Sequence, residues 1–370
     1  MKNVLVLFGG SSTEHEISQR SAANIVLGLR EAGLLPHIIG ITREGVWLPF
    51  ILDDEYILAD DWETRLRAAL GEHKALNVLN PLEGISVRAF LEALAAAPID
   101  VIFPAVHGIN CEDGILQGLL ELSGIPYVGS GVLASALSMD KIMSKKMVSL
   151  SGVPQARYVE TTRERILNDA ESELDYIEAE LAYPCFVKPA NGGSSVGTAK
   201  ACDAEELKLA LEQAAKFDWR ILVEEFIPAR ELEVAVLGNL TPFAASVGEV
   251  AVQAEGEYYD YENKYFNEGA AEVKVPADLE EEDAYRLRAL AIQVYKALGC
   301  RGLARVDFFK HKENGQFYFN EINNLPGFTA ISLYPQAFAY EGIALPELLL
   351  RLCHLALEEK KRKERSTAVK

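Results

Sequence analysis

Three oxygen-bearing side chains toward the end of the sequence have the types and spacing to hold a cation. Asp307 sits in ARVDFF, and Glu321 and Asn323 sit in FNEIN. If both segments are strands, Glu321 and Asn323, two apart, project to the same face, and Asp307 on a neighbouring strand can join them. Two carboxylates and an amide oxygen form an all-oxygen set suited to Mg²⁺, and magnesium so held usually takes phosphate oxygens as well. The set therefore points to a nucleotide, with scattered acids on an exposed strand as the competing reading.

A second feature is NGGSSVG at 191–197, following a predicted strand that ends in Lys188 and Pro189. Its glycines allow close backbone approach, and its free N–H groups suit a phosphate. It is neither GxGxxG nor GxxxxGK[ST], so no Rossmann or P-loop label applies, and a flexible turn remains the alternative. A third is VEEF at 223–226 followed by Glu231. Acids after an apolar run can accept from an adenine amino group and ribose hydroxyls, or can simply be solvated. Near the start, GGSSTEHE puts Glu14 at the beginning of a helix, where a carboxylate is stabilised by the helix dipole. The same place is the C-terminal edge of a parallel sheet, where open α/β proteins bind ligands, and a carboxylate there can hold an ammonium group. His107 in HGINCEDG ends a predicted strand at that edge, as a ligand or as a satisfied structural histidine.

These residues need elements to carry them. The run VLVLF at 4–8 reads as a buried strand, followed by a helix with Ile17, Ile25, Leu29 and Ala32 on one face and closed at Gly33. HIIGI at 37–41 and IDVIFPAVHG at 99–108 read as further strands, and strands without alternation separated by helices imply a parallel sheet covered on both faces. The acidic stretch 50–75 reads as a peripheral insertion. A second unit holds a helix at 141–151, a break at Pro154, an acidic helix at 163–181, the strand CFVKP, a helix at 203–215 and the strand RILVEEFI. Beyond it ELEVAVLGN and SVGEVAV alternate, as antiparallel strands with one solvated face do. Residues 255–272 read as a long mobile loop, 280–298 as a helix, and LEEKKRKERSTAVK as a charged, frayed tail. No internal repeat or low-complexity linker interrupts the chain.

Composition bounds the function classes. A chain of 370 residues suggests two or three domains, and 49% hydrophobic with 25% charged residues is ordinary globular composition. Lys and Arg total 36 against 55 Asp and Glu, a formal net charge of −19, which disfavours nucleic acid and anionic lipid as partners. A local basic pocket can still override that mean field. Cys111, Cys185, Cys202, Cys300 and Cys353 lie far apart with no CxxC pair, so neither a zinc cage nor a disulfide framework is expected, and free thiols suit a reducing compartment. MKNVLVLFGG lacks a signal-peptide pattern, and the apolar stretch at 91–106 is cut by Pro98, Asp100 and Pro104 before it reaches the roughly 20 residues of a membrane span. The expectation is a soluble cytoplasmic protein.

Taken in order, FGGSSTEHEIS, HGINCEDGILQG, GSGVLASALSMDK, FVKPANGGSSVG, VEEFIPARELEVAVLG, YYDYENKY, ARVDFF and NEINNLPGFTAIS resemble the D-alanine–D-alanine ligases of the ATP-grasp superfamily, from residue 3 to about 355. Cys111 stands where glycine is common, and Asn324 where threonine or serine is common. The resemblance implies an α/β, ATP-grasp fold of three domains. These are an N-terminal parallel-sheet domain (preATP-grasp, Rossmann-like) at 1–129, a central subdomain at 130–223, and a C-terminal subdomain at 224–370 with a lid loop at 255–272. It implies two Mg²⁺ ions, replaceable by Mn²⁺, with ATP and D-alanine as substrates, no nucleic-acid or membrane partner, and a homodimer.

By the same resemblance, Lys141 and Lys188 are phosphate and adenine-side contacts, and Ser194 and Ser195 cover the phosphates. Glu224 accepts from the adenine amino group, helped by main chain near Ile227, and Glu231 holds the ribose. Asp307, Glu321 and Asn323 match the metal ligands. Arg305 and the backbone N–H of Gly327 match an oxyanion hole, and Glu14, Ser194 and Tyr265 match a hydrogen-bonded triad. His107 and Glu112 match the surroundings of the first substrate, while Ser332 and Leu333 match the pocket for the second substrate's carboxylate. The implied reaction is attack of one D-alanine carboxylate on the γ-phosphate, then attack of a second D-alanine's amine on the acyl phosphate. Lys264 and Tyr265 in the loop favour an amine nucleophile over D-lactate. A D-alanine–D-serine ligase is the alternative, and a nucleotide-binding protein without catalysis is the contrasting class.

Overall fold

The computed structural model describes residues 1–70, 87–193, 196–252 and 271–364. The chain opens with strand β1, Asn3–Gly9, then helix α1, His15–Glu31, strand β2, Leu35–Ile41, and the short strand β3, Trp47–Pro49. A 3₁₀ turn at Asp54–Leu58 leads to α2, Trp62–Leu70; after the gap come α3, Val87–Ala95, and β4, Val101–Pro104. The sheet order is β3-β2-β1-β4, with β2 and β4 parallel to β1 and β3 an antiparallel edge. This is the parallel sheet expected from unbroken apolar runs, and both of its faces are covered. Val4, Val6 and Phe8 point to a core with Ile25 and Leu29 of α1, while Leu5 and Leu7 point to another with Leu91 of α3.

The stretch at 50–75 is not peripheral as far as it is described. Ile57, Trp62 and Leu66 are buried, and the Trp62 ring centroid lies 4.9 Å from that of Phe8. Its acids lie toward water while Phe50, Ile57, Trp62, Leu66 and Leu70 close the edge of the core. Residues 71–75 lie outside the described residues.

Helix α4, Ile115–Ser123, follows β4; α5, Val132–Met139, and α6, Lys141–Ser149, come next. Strand β5, Tyr158–Thr162, then leads to α7, Arg163–Asn168, and α8, Ala170–Glu180. The single acidic helix expected at 163–181 is thus two helices. Asp169 ends the first and caps the second, its carboxylate accepting from the backbone N–H of Ser172. Strands β6, Cys185–Pro189, and β7, Ala199–Ala201, helix α9, Ala204–Phe217, and strand β8, Arg220–Glu225, complete an antiparallel sheet of order β5-β8-β6-β7. The division expected at 223/224 therefore runs through β8. Helices α5 and α6 also bury Ala134 and Val148 in the core of the next sheet.

That sheet holds β9, Ala229–Gly238, β10, Phe243–Ala244, β11, Gly248–Val252, and β12, Ala271–Lys274. After α10, Glu281–Ala297, it gains β13, Gly302–His311, and β14, Phe317–Asn323, in the order β12-β11-β9-β13-β14 with β10 on β9. Its strands pair antiparallel, as the alternation in ELEVAVLGN implies, but the expected solvated face is absent from β9, whose Leu232, Val234 and Val236 enter one core and Ala235 and Leu237 another. Of the loop expected at 255–272, only 271–272 are described, and they begin β12.

Helix α11, Leu333–Tyr340, precedes α12, Leu345–Lys363. The expected frayed tail is helical to Lys363, because its basic run falls in the last turn, where the helix dipole favours cations. Gly28 of α1 lets α12 approach closely, since a Cβ there would lie 2.6 Å from Leu349 Cδ1. Among the described residues no helix is long and apolar enough to cross a membrane.

Candidate active site

The C-terminal ends of β1 and β4 deliver the first group of side chains. After β1 the chain turns through Gly9 and Gly10, and Glu14 sits as the residue preceding α1, nearly buried and making no side-chain cap bond. Gly108 has φ +78°, and a Cβ on it would lie 2.8 Å from Glu14 Oε2. A Cβ on Gly193 would lie 3.0 Å from that same oxygen. The Glu14 carboxylate is therefore wedged between the loop after β4 and the glycine loop of the central sheet. Ser194 and Ser195, the next two residues of that loop, lie outside the described residues, as do Lys264 and Tyr265.

His107 is buried, with Nδ1 3.0 Å from the Leu325 carbonyl and Nε2 3.4 Å from Ser21 Oγ. A carbonyl accepts only, so Nδ1 carries the proton and Nε2 faces the serine hydroxyl. Burial pushes the His107 pKa down, against an upward pull from Glu14. Glu112 Oε2 accepts from the Gly108 N–H at 2.6 Å, while among the described residues its buried Oε1 has no side-chain hydrogen-bond partner. Burial first, and the Glu14 charge second, raise the Glu112 carboxyl well above the usual range. Asn324 Nδ2 donates to the Glu112 carbonyl at 3.1 Å. The loop after β14 is thus tied to the parallel-sheet edge. Gly327 lies in it, where a Cβ would meet Ser332 Oγ at 2.9 Å. Ser332 precedes α11 and accepts from the Thr329 N–H. The Leu333 side chain is buried in the core, so only its backbone N–H is available to a ligand.

The large sheet lines up the acidic set. Asp307 on β13 stands opposite Glu321 on β14 and Glu233 on β9. Arg305, two residues back on the same face, stands opposite Asn323. Its guanidinium donates to both Asp307 oxygens at 2.8 and 2.7 Å and lies 3.2 Å from Glu233. Asn323 Oδ1 accepts from the Leu325 N–H. Among the described residues no three His, Cys, Asp or Glu side chains close on one point as a metal cage. The oxygen donors stand side by side in register rather than gathered, with Arg305 on Asp307. Half-buried Glu231 shares the face of Glu233, two residues earlier on β9, and Ile227 lies in the loop joining β8 to β9.

Between the two sheets lies a set of lysines. Lys141 Nζ donates to the Gly192 carbonyl at 2.6 Å and lies 3.7 Å from Glu321 Oε2. Lys188 on β6 donates to Asn320 Oδ1 at 3.0 Å and pairs with Glu224 Oε2 at 2.7 Å. Glu224 on β8 is also paired through Oε1 with Lys145 at 2.5 Å. Burial raises the Glu224 carboxyl, but the two ammonium groups outweigh it and leave the pKa at about 2. The carboxylate expected to meet an adenine amino group is thus already held by two lysines.

Sequence reasoning missed Lys145, Asn320, Glu233 and the root of the glycine loop. That root is Asp218, whose carboxylate accepts from Asn191 N and Nδ2, and Asp140, which caps α6 and pairs with Arg220. The signal available for Lys145 was its position four residues after Lys141, on the same face of a helix.

Two family models match the chain. One described as D-ala D-ala ligase N-terminus covers residues 3–130, and one described as D-ala D-ala ligase C-terminus covers residues 147–354. A protein of Acetivibrio thermocellus named D-alanine--D-alanine ligase is 46% identical over 365 residues, 96% of either chain. One of the same name from Ruminiclostridium cellulolyticum is 47% identical over 366 residues, again 96% of either chain. Among solved structures, the VanG D-Ala:D-Ser ligase from Enterococcus faecalis superposes with a TM-score of 0.79 at 33% identity, over 96% of this chain and 99% of that one. The D-alanine-D-alanine ligase from Coxiella burnetii gives a TM-score of 0.79 at 31% identity, over 98% and 95%.

Proposed function

The chain belongs to the D-alanine–D-alanine ligase family, and on that premise we propose how its cleft works. The protein has the ATP-grasp fold and is a ligase that joins two D-alanines, using ATP and releasing ADP and phosphate. The observation that carries the reading at the level of residues is the contact of Glu14 with the Gly193 position. It brings a carboxylate suited to an amino-acid ammonium against a loop suited to phosphate, so acceptor and donor of the phosphoryl group share one cleft.

In this reading Glu14 holds the ammonium of the first D-alanine, with His107 and Glu112 shaping its surroundings. Lys141 and Lys188 attract the triphosphate, with Ser194, Ser195 and the loop backbone over it. Glu224 and the main chain near Ile227 receive the adenine, and Glu231 the ribose. Asp307, Glu321 and Asn323 offer only oxygen atoms on adjacent strands, which fits Mg²⁺, or Mn²⁺ in its place. The bound cation would neutralise charge on the phosphate oxygens.

The first D-alanine carboxylate takes the γ-phosphoryl group, giving a D-alanyl phosphate and ADP. The neutral amine of the second D-alanine then attacks the activated carbonyl and expels phosphate. Arg305 and the Gly327 N–H stabilise the developing oxyanion. Ser332 and the Leu333 N–H take the second substrate's carboxylate. Lys264 and Tyr265 complete the closed site, where exclusion of water protects the acyl phosphate. We place the protein in the cytoplasm, as a homodimer, supplying peptidoglycan precursor.

Phosphate release from ATP and Mg²⁺ tests the activity, with D-alanine alone and with added D-serine or D-lactate, products identified by mass. D-Alanyl-D-alanine as the dominant product throughout supports the reading. A dominant D-alanyl-D-serine product would place the second-substrate specificity with the D-Ala:D-Ser ligase it resembles at 33% identity.

A further inference from the structure

We propose that Lys145 is a positioning residue that fixes Glu224 as the nucleobase acceptor and so sets ATP affinity and adenine selectivity. The proposal rests on the reading that Glu224 faces the adenine. Lys145 itself is 1% exposed and does not line the mouth of the cleft. Helix α6 carries it there. Ile142, three residues earlier on the same face, packs with Ala190 and Leu222, and the Lys141 N–H donates to the Ala190 carbonyl. Leu222 and Glu224 are two apart on β8 and project to one side, so the helix that buries Ile142 on Leu222 brings Lys145 onto Glu224.

One lysine would neutralise one buried carboxylate. Here two do so, at 2.5 and 2.7 Å, with Lys145 on Oε1 and Lys188 on Oε2. The trio sets two lysines on one carboxylate with each member more than nine-tenths buried, and the Glu321 charge acts on Lys145 as well. Two ammonium groups this far out of water act on an incoming phosphate with little screening, so the trio favours an anionic ligand. Because Lys145 takes Oε1, Lys188 meets Glu224 through Oε2 only, with Asn320 Oδ1 as a second acceptor on the side of the large sheet.

The second effect is on the base. Held between two ammonium groups, Glu224 stays ionised and can only accept hydrogen bonds. Adenine offers an amino group at C6, whereas guanine and hypoxanthine offer a carbonyl oxygen there, and two acceptors repel. Without Lys145 the carboxylate follows Lys188 and both effects weaken together. Neither requires Lys145 to touch the substrate.

The test is steady-state kinetics with ATP and GTP, saturating in D-alanine, and calorimetric binding of ADP and GDP. Wild type, K145M, K145R and E224Q are compared. Wild type should prefer ATP to GTP by at least about a hundredfold in kcat/KM. K145M should raise the ATP KM about tenfold, hold kcat within about threefold, and narrow the base preference about tenfold. K145R, which keeps the charge, should retain most of the preference. If K145M does not fold by circular dichroism, K145Q replaces it with the same expectation.

Unchanged base preference in K145M alongside a lost preference in E224Q would overturn the role of Lys145 and leave the nucleotide site standing. Lower stability and kcat without any change in preference would likewise overturn it, as a purely structural ion pair. Wild type indifferent to the base, with E224Q also without effect, would overturn the placement of Glu224 itself.

Discussion

Glu224 is the residue at which burial and charge compete most directly, and the outcome reaches stability as well as binding. Its pKa in the folded chain is about 2, below the roughly 4.3 of a glutamate in an unfolded chain. The unfolded chain therefore binds that proton more readily, and acid favours unfolding. The contribution is complete above about pH 5 and is lost as pH falls through 4 toward 2, on the order of 2–3 kcal/mol for this one group. E224Q removes it and leaves two buried lysines facing a neutral amide. Urea unfolding should show E224Q less stable at pH 7 by about 3 kcal/mol and the gap closing steadily toward pH 3. A gap that does not change with pH would mean that the loss is one of packing rather than of charge.

At the scale of elements, α6 is the part on which the nucleotide side turns, because Lys141 and Lys145 leave it one helical turn apart. Its first turn is held by Asp140, which accepts from the Met143 N–H at 2.9 Å and pairs with Arg220. Losing such a cap costs about 0.5–2 kcal/mol. D140A should lower the melting temperature and raise the ATP KM several-fold with kcat little changed. D140N, still able to cap but without the ion pair, should fall between. A D140A protein with wild-type KM would show that the lysines are placed by the sheet packing alone. The same helix shows what could be read in advance. Unbroken apolar runs gave away the parallel sheet, alternation gave away β9 and β11, and a two-residue spacing put Glu321 and Asn323 on one face. The face Lys145 shares with Lys141 was legible, but its burial was not, because a lysine in a helix ordinarily faces water and this burial depends on β8, some 75 residues further on. Asp169 was hidden for a related reason, since one more acid in an acidic run breaks no pattern. Trp62 was overlooked because the acids around it dominate the composition of the stretch, although Trp62, Leu66 and Leu70 stand at the i, i+4, i+8 spacing of one helical face.

At the scale of the whole molecule, the nucleotide side of the cleft gathers Lys141, Lys145 and Lys188 inside a chain of formal charge −19. The two fields act over different ranges. Repulsion of an anionic nucleotide by the surrounding acids is long-range and passes largely through solvent, where screening shortens it to about 10 Å at 0.1 M salt. Attraction by Lys145 and Lys188 is short-range and acts from groups nearly out of reach of water, where mobile ions do little. Salt should therefore remove the repulsion first. Between about 10 and about 150 mM tetramethylammonium chloride, at fixed free Mg²⁺, the KM for ATP should fall about two- to threefold while kcat holds. Steady-state kinetics across that range checks it. A KM that rises with salt would mean that exposed cations draw the nucleotide in, for which the run Lys360 to Lys363 at the end of α12 is the obvious source. A KM that falls would instead locate the attraction in the buried lysines, and would explain how so acidic a protein can bind one of the most highly charged small molecules in the cell.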